Sequence, residues 1–214
     1  MTHTPQLLSL TVSDSASVWA ELGFAVRDGC TRIGNTTIRF DGNGNGITGW
    51  ALEGTPAGTD IAGILTDPVG PAAPVLVHPN GVYAIDHLVL MTPNVDRTVS
   101  ELAIHSMECR RRRVGRSYGK PIQQAFFWLG QGGDHGTILE VVGPPEPDPI
   151  GGSASFFGIC LTVSSLDETA KVLGALLKPP VDAVQAGRQI ATVSSRSGSA
   201  VAIALMSPHL RSEP

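Results

Sequence analysis

Glu140 lies inside the apolar run Ile138-Leu139-Glu140-Val141-Val142. A carboxylate there is costly to bury unpaired, so it needs a partner, and Arg111, Arg113 and Arg116 are the candidates. These arginines belong to the run Arg110-Arg111-Arg112-Arg113, which with Arg116 and Lys120 is the most unusual composition in the chain. A strand through the run sends alternate side chains to opposite faces, so at most half can address one ligand. They suit a carboxylate or phosphate on a small substrate; the competing reading is a charged edge strand that discourages sheet-to-sheet pairing. Gln124, Phe126 and Trp128 share one strand face. They would line a pocket for a small organic ligand or, turned the other way, pack beneath a helix. Arg188, after Gly187, either reaches such a pocket or stands in an exposed turn. His87, in the apolar stretch Ile85 to Leu90, is a proton-exchanging group or a structural histidine held by a neighbouring strand. Strand alternation places His87 with Val89 and Met91, and Glu140 with Ile138 and Val142.

The elements that must position these groups repeat. Leu10-Thr11-Val12-Ser13 leads to Glu21-Leu22-Gly23, and Leu161-Thr162-Val163-Ser164 leads with the same spacing to Val172-Leu173-Gly174. Between them, Leu88-Val89-Leu90 precedes Thr92-Pro93-Asn94 and a helix through Glu101-Leu102-Ala103. Repetition of a supersecondary unit at this scale points to duplication. In the last copy Ser165 and Glu168 are spaced for a capping box, and Leu166, Ala170, Leu173 and Leu177 form one helical face. In the middle copy Asn94 is the N-cap, with Val95, Val99 and Leu102 as the apolar stripe. The first copy has Asp14 or Ser13 as cap and Val18, Trp19 and Leu22 turned inward.

Strand-like runs follow each helix: residues 36–40 and 47–52, then 108–114, 122–129 and 137–142, then 181–184, 189–193 and 200–206. The second and third copies thus read βαβββ, while the first shows two of its three closing strands. The segments Thr55 to Asn80, rich in Ala, Gly and Pro, and Gly143 to Ser153 read as connectors or as loops packed over a sheet. This predicts residues 1–78 as a degenerate N-terminal module with its connector, and 79–214 as a domain of two modules, 83–145 and 155–208.

Composition narrows the function classes. Hydrophobic residues at 42% and charged ones at 16% describe a globular chain with a core. A net charge of -4, with no aromatic interleaving of the arginines, argues against nucleic acid as a partner. The three dispersed cysteines read as reduced thiols, and no apolar run is long enough to cross a bilayer, so the expected setting is cytoplasmic. The Gly-rich stretches at 42–46 and 130–136 do not follow the phosphate-loop pattern.

Three motifs of the middle copy carry a resemblance: Ile85-Asp86-His87-Leu88-Val89-Leu90, Gln124-Ala125-Phe126-Phe127, and Ile138-Leu139-Glu140-Val141-Val142-Gly143-Pro144. Together they resemble the glyoxalase, or vicinal oxygen chelate, superfamily. The likeness is greatest to uncharacterised actinobacterial glyoxalase-like proteins, whose second half carries a motif like Ala186-Gly187-Arg188-Gln189-Ile190-Ala191-Thr192. It spans residues 83–208; over the first 80 it rests on the repeat. The resemblance implies an α+β fold of βαβββ modules forming a cupped mixed sheet with helices outside. In its metal-dependent members each module supplies a His from its first strand and a Glu from its last, which suits a divalent ion with open positions.

By that resemblance His87 and Glu140 are metal-ligand or catalytic positions. Superposing the copies places Gly158 opposite His87 and Ala204 opposite Glu140, and the first copy offers Leu7 and Ala51. Two protein ligands are fewer than a catalytic metal site normally has, and nothing in the spacing demands His135 or His209 as a third. The cofactor expected is therefore none, with a divalent metal as the alternative. The partner expected is a small-molecule ligand, with no membrane and no nucleic acid, and an odd module makes a homodimer a candidate. The leading function is a metal-independent binder or enzyme acting on a small organic, anionic substrate through His87 or Glu140. The alternatives are a divalent-metal lyase, isomerase or dioxygenase using both residues, and a sequestering protein of the drug-resistance type.

Overall fold

Capping decides where the helices start. In the computed structural model, which describes residues 4–117, 119–131, 136–148 and 150–208, the Asn94 side chain accepts from Arg97 N–H at 3.0 Å and opens a ten-residue helix. Ser165 does the same for Glu168 N–H at 3.3 Å, although the Glu168 carboxylate turns to Lys171 instead of completing the box. The first helix departs from expectation. Its N-cap is Ser15, with no side-chain cap bond. Asp14 is buried and accepts from Trp19 Nε1 at 2.9 Å, Ser199 Oγ at 2.6 Å and Ala200 N–H at 2.6 Å. Its carboxylate ties the two ends of the chain together, and long-range partners outcompete the local cap.

The chain runs β1 (Leu7–Val12), α1 (Ala16–Glu21), β2 (Cys30–Ile33), β3 (Thr36–Phe40), β4 (Ile47–Leu52) and a short hairpin of β5 (Asp60–Ile61) and β6 (Ile64–Leu65). The second copy follows as β7 (Val82–Met91), α2 (Val95–Ile104), β8 (Cys109–Ser117), β9 (Lys120–Leu129) and β10 (Thr137–Gly143). The third is β11 (Ser155–Val163), α3 (Leu166–Leu173), β12 (Val181–Asp182), β13 (Gln189–Thr192) and β14 (Ala202–Met206).

The second and third copies build one mixed eight-stranded sheet in the order β12-β13-β14-β11-β7-β10-β9-β8. Their first strands, β7 and β11, pair antiparallel at its centre, and each lies parallel to the last strand of its own copy. The first copy makes a separate sheet, β2-β3-β1-β4. Here β2 and β3 are its closing strands, and β4 runs antiparallel on the far side of β1. Residues 47–52, read from the sequence as a closing strand, thus stand beside β1 as β7 stands beside β11. The strand at Cys30–Ile33 carries two polar residues in four and has no apolar run to reveal it.

One core serves both sheets. Leu10, Ile38 and Trp50 meet Trp19 and Leu22, while Leu88, Leu90, Leu139, Val141 and Phe127 form the buried face of the large sheet. The Trp50 and Phe156 rings meet edge to face at 5.4 Å across the junction. On the opposite face of the small sheet lie Thr11, Arg39 and Gly49, and the connector is strapped across them. Thr11 Oγ1 donates to Asp67 at 2.6 Å, Arg39 donates to the Pro71 carbonyl at 2.6 Å, and Ala73 N–H donates to Thr37 Oγ1 at 3.0 Å. Among the described residues no helix is long and apolar enough to cross a membrane.

Candidate functional site

A register shift in β7 assembles the site. Cys160 of β11 faces His87 and Leu161 faces Ile85, which leaves Asp86 as an extra residue between the two pairs. Such a bulge brings adjacent side chains onto one side of a sheet. Asp86 and His87 accordingly stand together, with Asp86 Oδ1 2.9 Å from His87 Nδ1. The remaining Asp86 oxygen is 2.7 Å from Arg188 Nη1 and accepts from Thr162 Oγ1 at 3.4 Å. Beyond the imidazole, His87 Nε2 faces Glu140 Oε2 at 3.8 Å, and Glu140 Oε1 accepts from the Gln124 amide.

Burial grades along this chain of contacts. The Arg188 and Asp86 side chains are 2% and 5% exposed, whereas Glu140 and His87 are 14% and 18% exposed. Burial alone would raise the Asp86 carboxyl. Its bonds and charge interactions with His87 and Arg188 outweigh that and bring its pKa down to about 2. Asp86 is therefore ionised throughout the neutral range and holds Nδ1 as the protonated ring nitrogen, leaving Nε2 open toward Glu140. Cys160, whose donor atom lies within 4.8 Å of those of Asp86 and His87, has its thiol pushed up by burial and then by the Asp86 charge. It is a buried neutral thiol.

Most of the expected site residues share this face. Strand pairing sets Phe126 beside Glu140, Gln124 beside Val142, and Ile138 between His87 and Trp128. On the edge strand, Arg111 pairs with Phe126 and Arg113 with Gln124, so both arginines extend the same face outward. Arg113 is half-buried and Arg111 exposed. Gln124 Oε1 is buried without a hydrogen-bond partner among the described residues, and a Cβ at Gly115 would meet it at 3.4 Å and Arg113 Nε at 3.5 Å. Arg112 points the other way, toward α2, and pairs with Asp96. Glu140 meets Gln124 and His87 where an arginine was the expected partner.

Arg188 comes to the site from behind. Its Nε donates to the Ser207 carbonyl at 2.8 Å, its Nη1 reaches Gln185 and Asp86, and its burial places it under the Asp86–His87 pair. Asp86 and Cys160 were missed by the sequence reading. Simple alternation assigns Asp86 to the helix face, and only the bulge reverses that. His135 and His209 lie outside the described residues.

The donor set can be tested against a metal. His87 Nε2 and Glu140 Oε2 could both address one ion. Asp86, His87 and Cys160 also hold donor atoms within 4.8 Å of one another, although Asp86 is committed to His87 and to a guanidinium. His87 Nε2 and Glu140 Oε2 are the two donors facing each other on the open side, where a catalytic centre normally takes three.

No protein-family model matches the sequence, and no curated protein matches it. Solved structures do match. A triple mutant of 4-hydroxymandelate synthase from Streptomyces coelicolor superposes with a TM-score of 0.63 at 12% identity, over 95% of this chain and 92% of that one. Methylmalonyl-CoA epimerase from Streptomyces coelicolor, in complex with 2-nitronate-propionyl-CoA, gives a TM-score of 0.47 at 16% identity over 62% of this chain and 99% of that one. The Mycobacterium tuberculosis epimerase gives 0.46 at 16% identity, over 61% and 91%. The fold is α+β with curved mixed sheets, and it is shared with the 4-hydroxymandelate synthase structure.

Proposed function

We propose that this chain is a small-molecule enzyme of the proton-transfer class, working without a metal on a small anionic substrate with an acidic C–H beside a carbonyl. The observation that carries the reading is the Asp86–His87–Glu140 line. A buried ionised carboxylate fixes one imidazole nitrogen at 2.9 Å, and the other looks onto the open face toward a second carboxylate at 3.8 Å. That gap is too long for a direct hydrogen bond, so a reacting group can be received there without first breaking one. His87 Nε2 takes the proton from carbon, Glu140 assists in returning or relaying it, and Arg113 with Arg111 holds the anionic end. Phe126 and Trp128 exclude water from the apolar part of the ligand. Residues 79–214 form the working unit on this reading, and 1–78 a degenerate module packed against it.

A second reading has its own support, since the same 3.8 Å separation suits two ligands of one divalent ion, with Asp86 orienting the histidine from behind. One experiment separates the two. Untagged protein is incubated in D2O with a panel of 2-oxo acids and acyl thioesters, and exchange at the carbon beside the carbonyl is followed by NMR, with metal content measured on the same sample. Exchange that survives chelation and falls about 100-fold or more in His87→Ala supports the proposal. Stoichiometric metal that disappears in His87→Ala, with chelator-sensitive exchange, replaces it with the metal reading. Ligand binding without exchange would indicate a sequestering protein.

A further inference from the structure

The small sheet does more than share a core with the large one. The turn between β2 and β3, at Gly34-Asn35, and Gln6 ahead of β1 stand opposite the first residues of β7 and enclose a cleft of about 620 Å³. At its inner end the cleft reaches Asp86, Ile138 and Trp128. Ile138 and Trp128 occupy the next same-face positions along their strands from Glu140 and Phe126, so the cleft continues the floor of the site. Its volume falls in the range of about 300–1,000 Å³ usual for small-molecule sites.

The lining is chemically unlike the arginine end. Among the described residues its charged side chain is Asp86, already paired with Arg188. Gln6, Asn35, Tyr83 and Trp128 also line it, and their side-chain polar groups have no hydrogen bond among the described residues. Amides donate and accept alike, and the two aromatic rings offer flat apolar surface. A second carboxylate here would lose its hydration with no cation among the described lining residues to replace it.

We infer that this cleft is a ligand subsite that takes a neutral, ring-bearing group carrying hydroxyl or amide functions, with the first sheet supplying the selectivity. The inference rests on the proposed function only in joining this subsite to the His87–Glu140 floor. It makes the substrate two-ended, anionic toward Arg113 and neutral toward Asn35, with the reacting carbon between.

The test uses the full chain, labelled with nitrogen-15, titrated with benzamide and, separately, with its anionic counterpart benzoate. Benzamide is expected to shift the Trp128 indole and the Gly34 and Asn35 amide signals, and benzoate to leave them in place. The double variant Gln6→Ala/Asn35→Ala should weaken benzamide about tenfold, as expected for lost neutral hydrogen bonds. Silence of the cleft signals, equal response to benzoate, or full benzamide affinity in the double variant overturns the inference. Cleft binding without His87-dependent exchange leaves the subsite standing and removes only the proton-transfer reading.

Discussion

At the scale of single residues the molecule concentrates its electrostatics on Asp86. The carboxylate is 5% exposed and sits between an imidazole and a buried guanidinium, with its pKa drawn down to about 2 from a reference of 3.8. A carboxyl depressed by folding contributes stability above its unfolded pKa and loses that contribution as pH falls toward its folded one. The expected window is thus from about pH 4 down to about pH 2, with roughly 2 kcal/mol at stake. Urea midpoints at pH 6 and pH 2.5 should fall further for the wild type than for Asp86→Asn; equal falls would show that Asp86 carries no such linkage. The residue was hard to see in the sequence. His87 stands beside it and is marked out by the resemblance and by sharing a strand face with Val89 and Met91. Asp86 becomes a site residue only through a one-residue bulge that strand alternation does not foresee.

Elements explain why the copies differ in chemistry. The position of the third copy that matches His87 is Gly158, and a Cβ there would fall 2.2 Å from the Ala202 carbonyl oxygen of β14. No side chain fits at that position without moving backbone, so the third copy is barred from supplying a ligand where the second supplies one. Gly158→Ala should destabilise the protein by about 2–3 kcal/mol, read from the denaturant midpoint at unchanged slope. A loss within about 0.5 kcal/mol would mean that β11 and β14 separate easily. The helix starts at Asn94 and Ser165 were legible because a cap is a local bond between near neighbours. Asp14 was not, since its partners Ser199 and Ala200 are at the other end of the chain.

On the scale of the whole molecule, the two sheets are welded and not merely linked. Trp50 packs on Phe156, Asn80 donates to the Leu22 carbonyl at 2.8 Å, and Asp14 accepts from the loop ahead of β14. One shared core predicts one cooperative transition. Thermal unfolding followed by tryptophan fluorescence, which reports mainly Trp19 and Trp50 of the first half, should coincide with far-UV circular dichroism of the whole chain. Asp14→Ala should lower both midpoints together, reflecting a stability loss of about 1–3 kcal/mol for leaving buried donors without their acceptor. Two separated transitions would show that the halves fold independently.

The sequence by itself determined the repeat, the βαβββ order of the second and third copies, two of the helix caps and the common strand face of Gln124, Phe126 and Trp128, but not that this face is the one shared with His87 and Glu140. These are periodic or nearest-neighbour properties, written in spacing. Tertiary structure alone decided that β4 crosses to the far side of β1, that the connector straps the small sheet, and that Arg188 reaches the site from beneath Asp86. Each depends on contacts between residues far apart in the chain, and a bulge that shifts register by one position has no period to betray it.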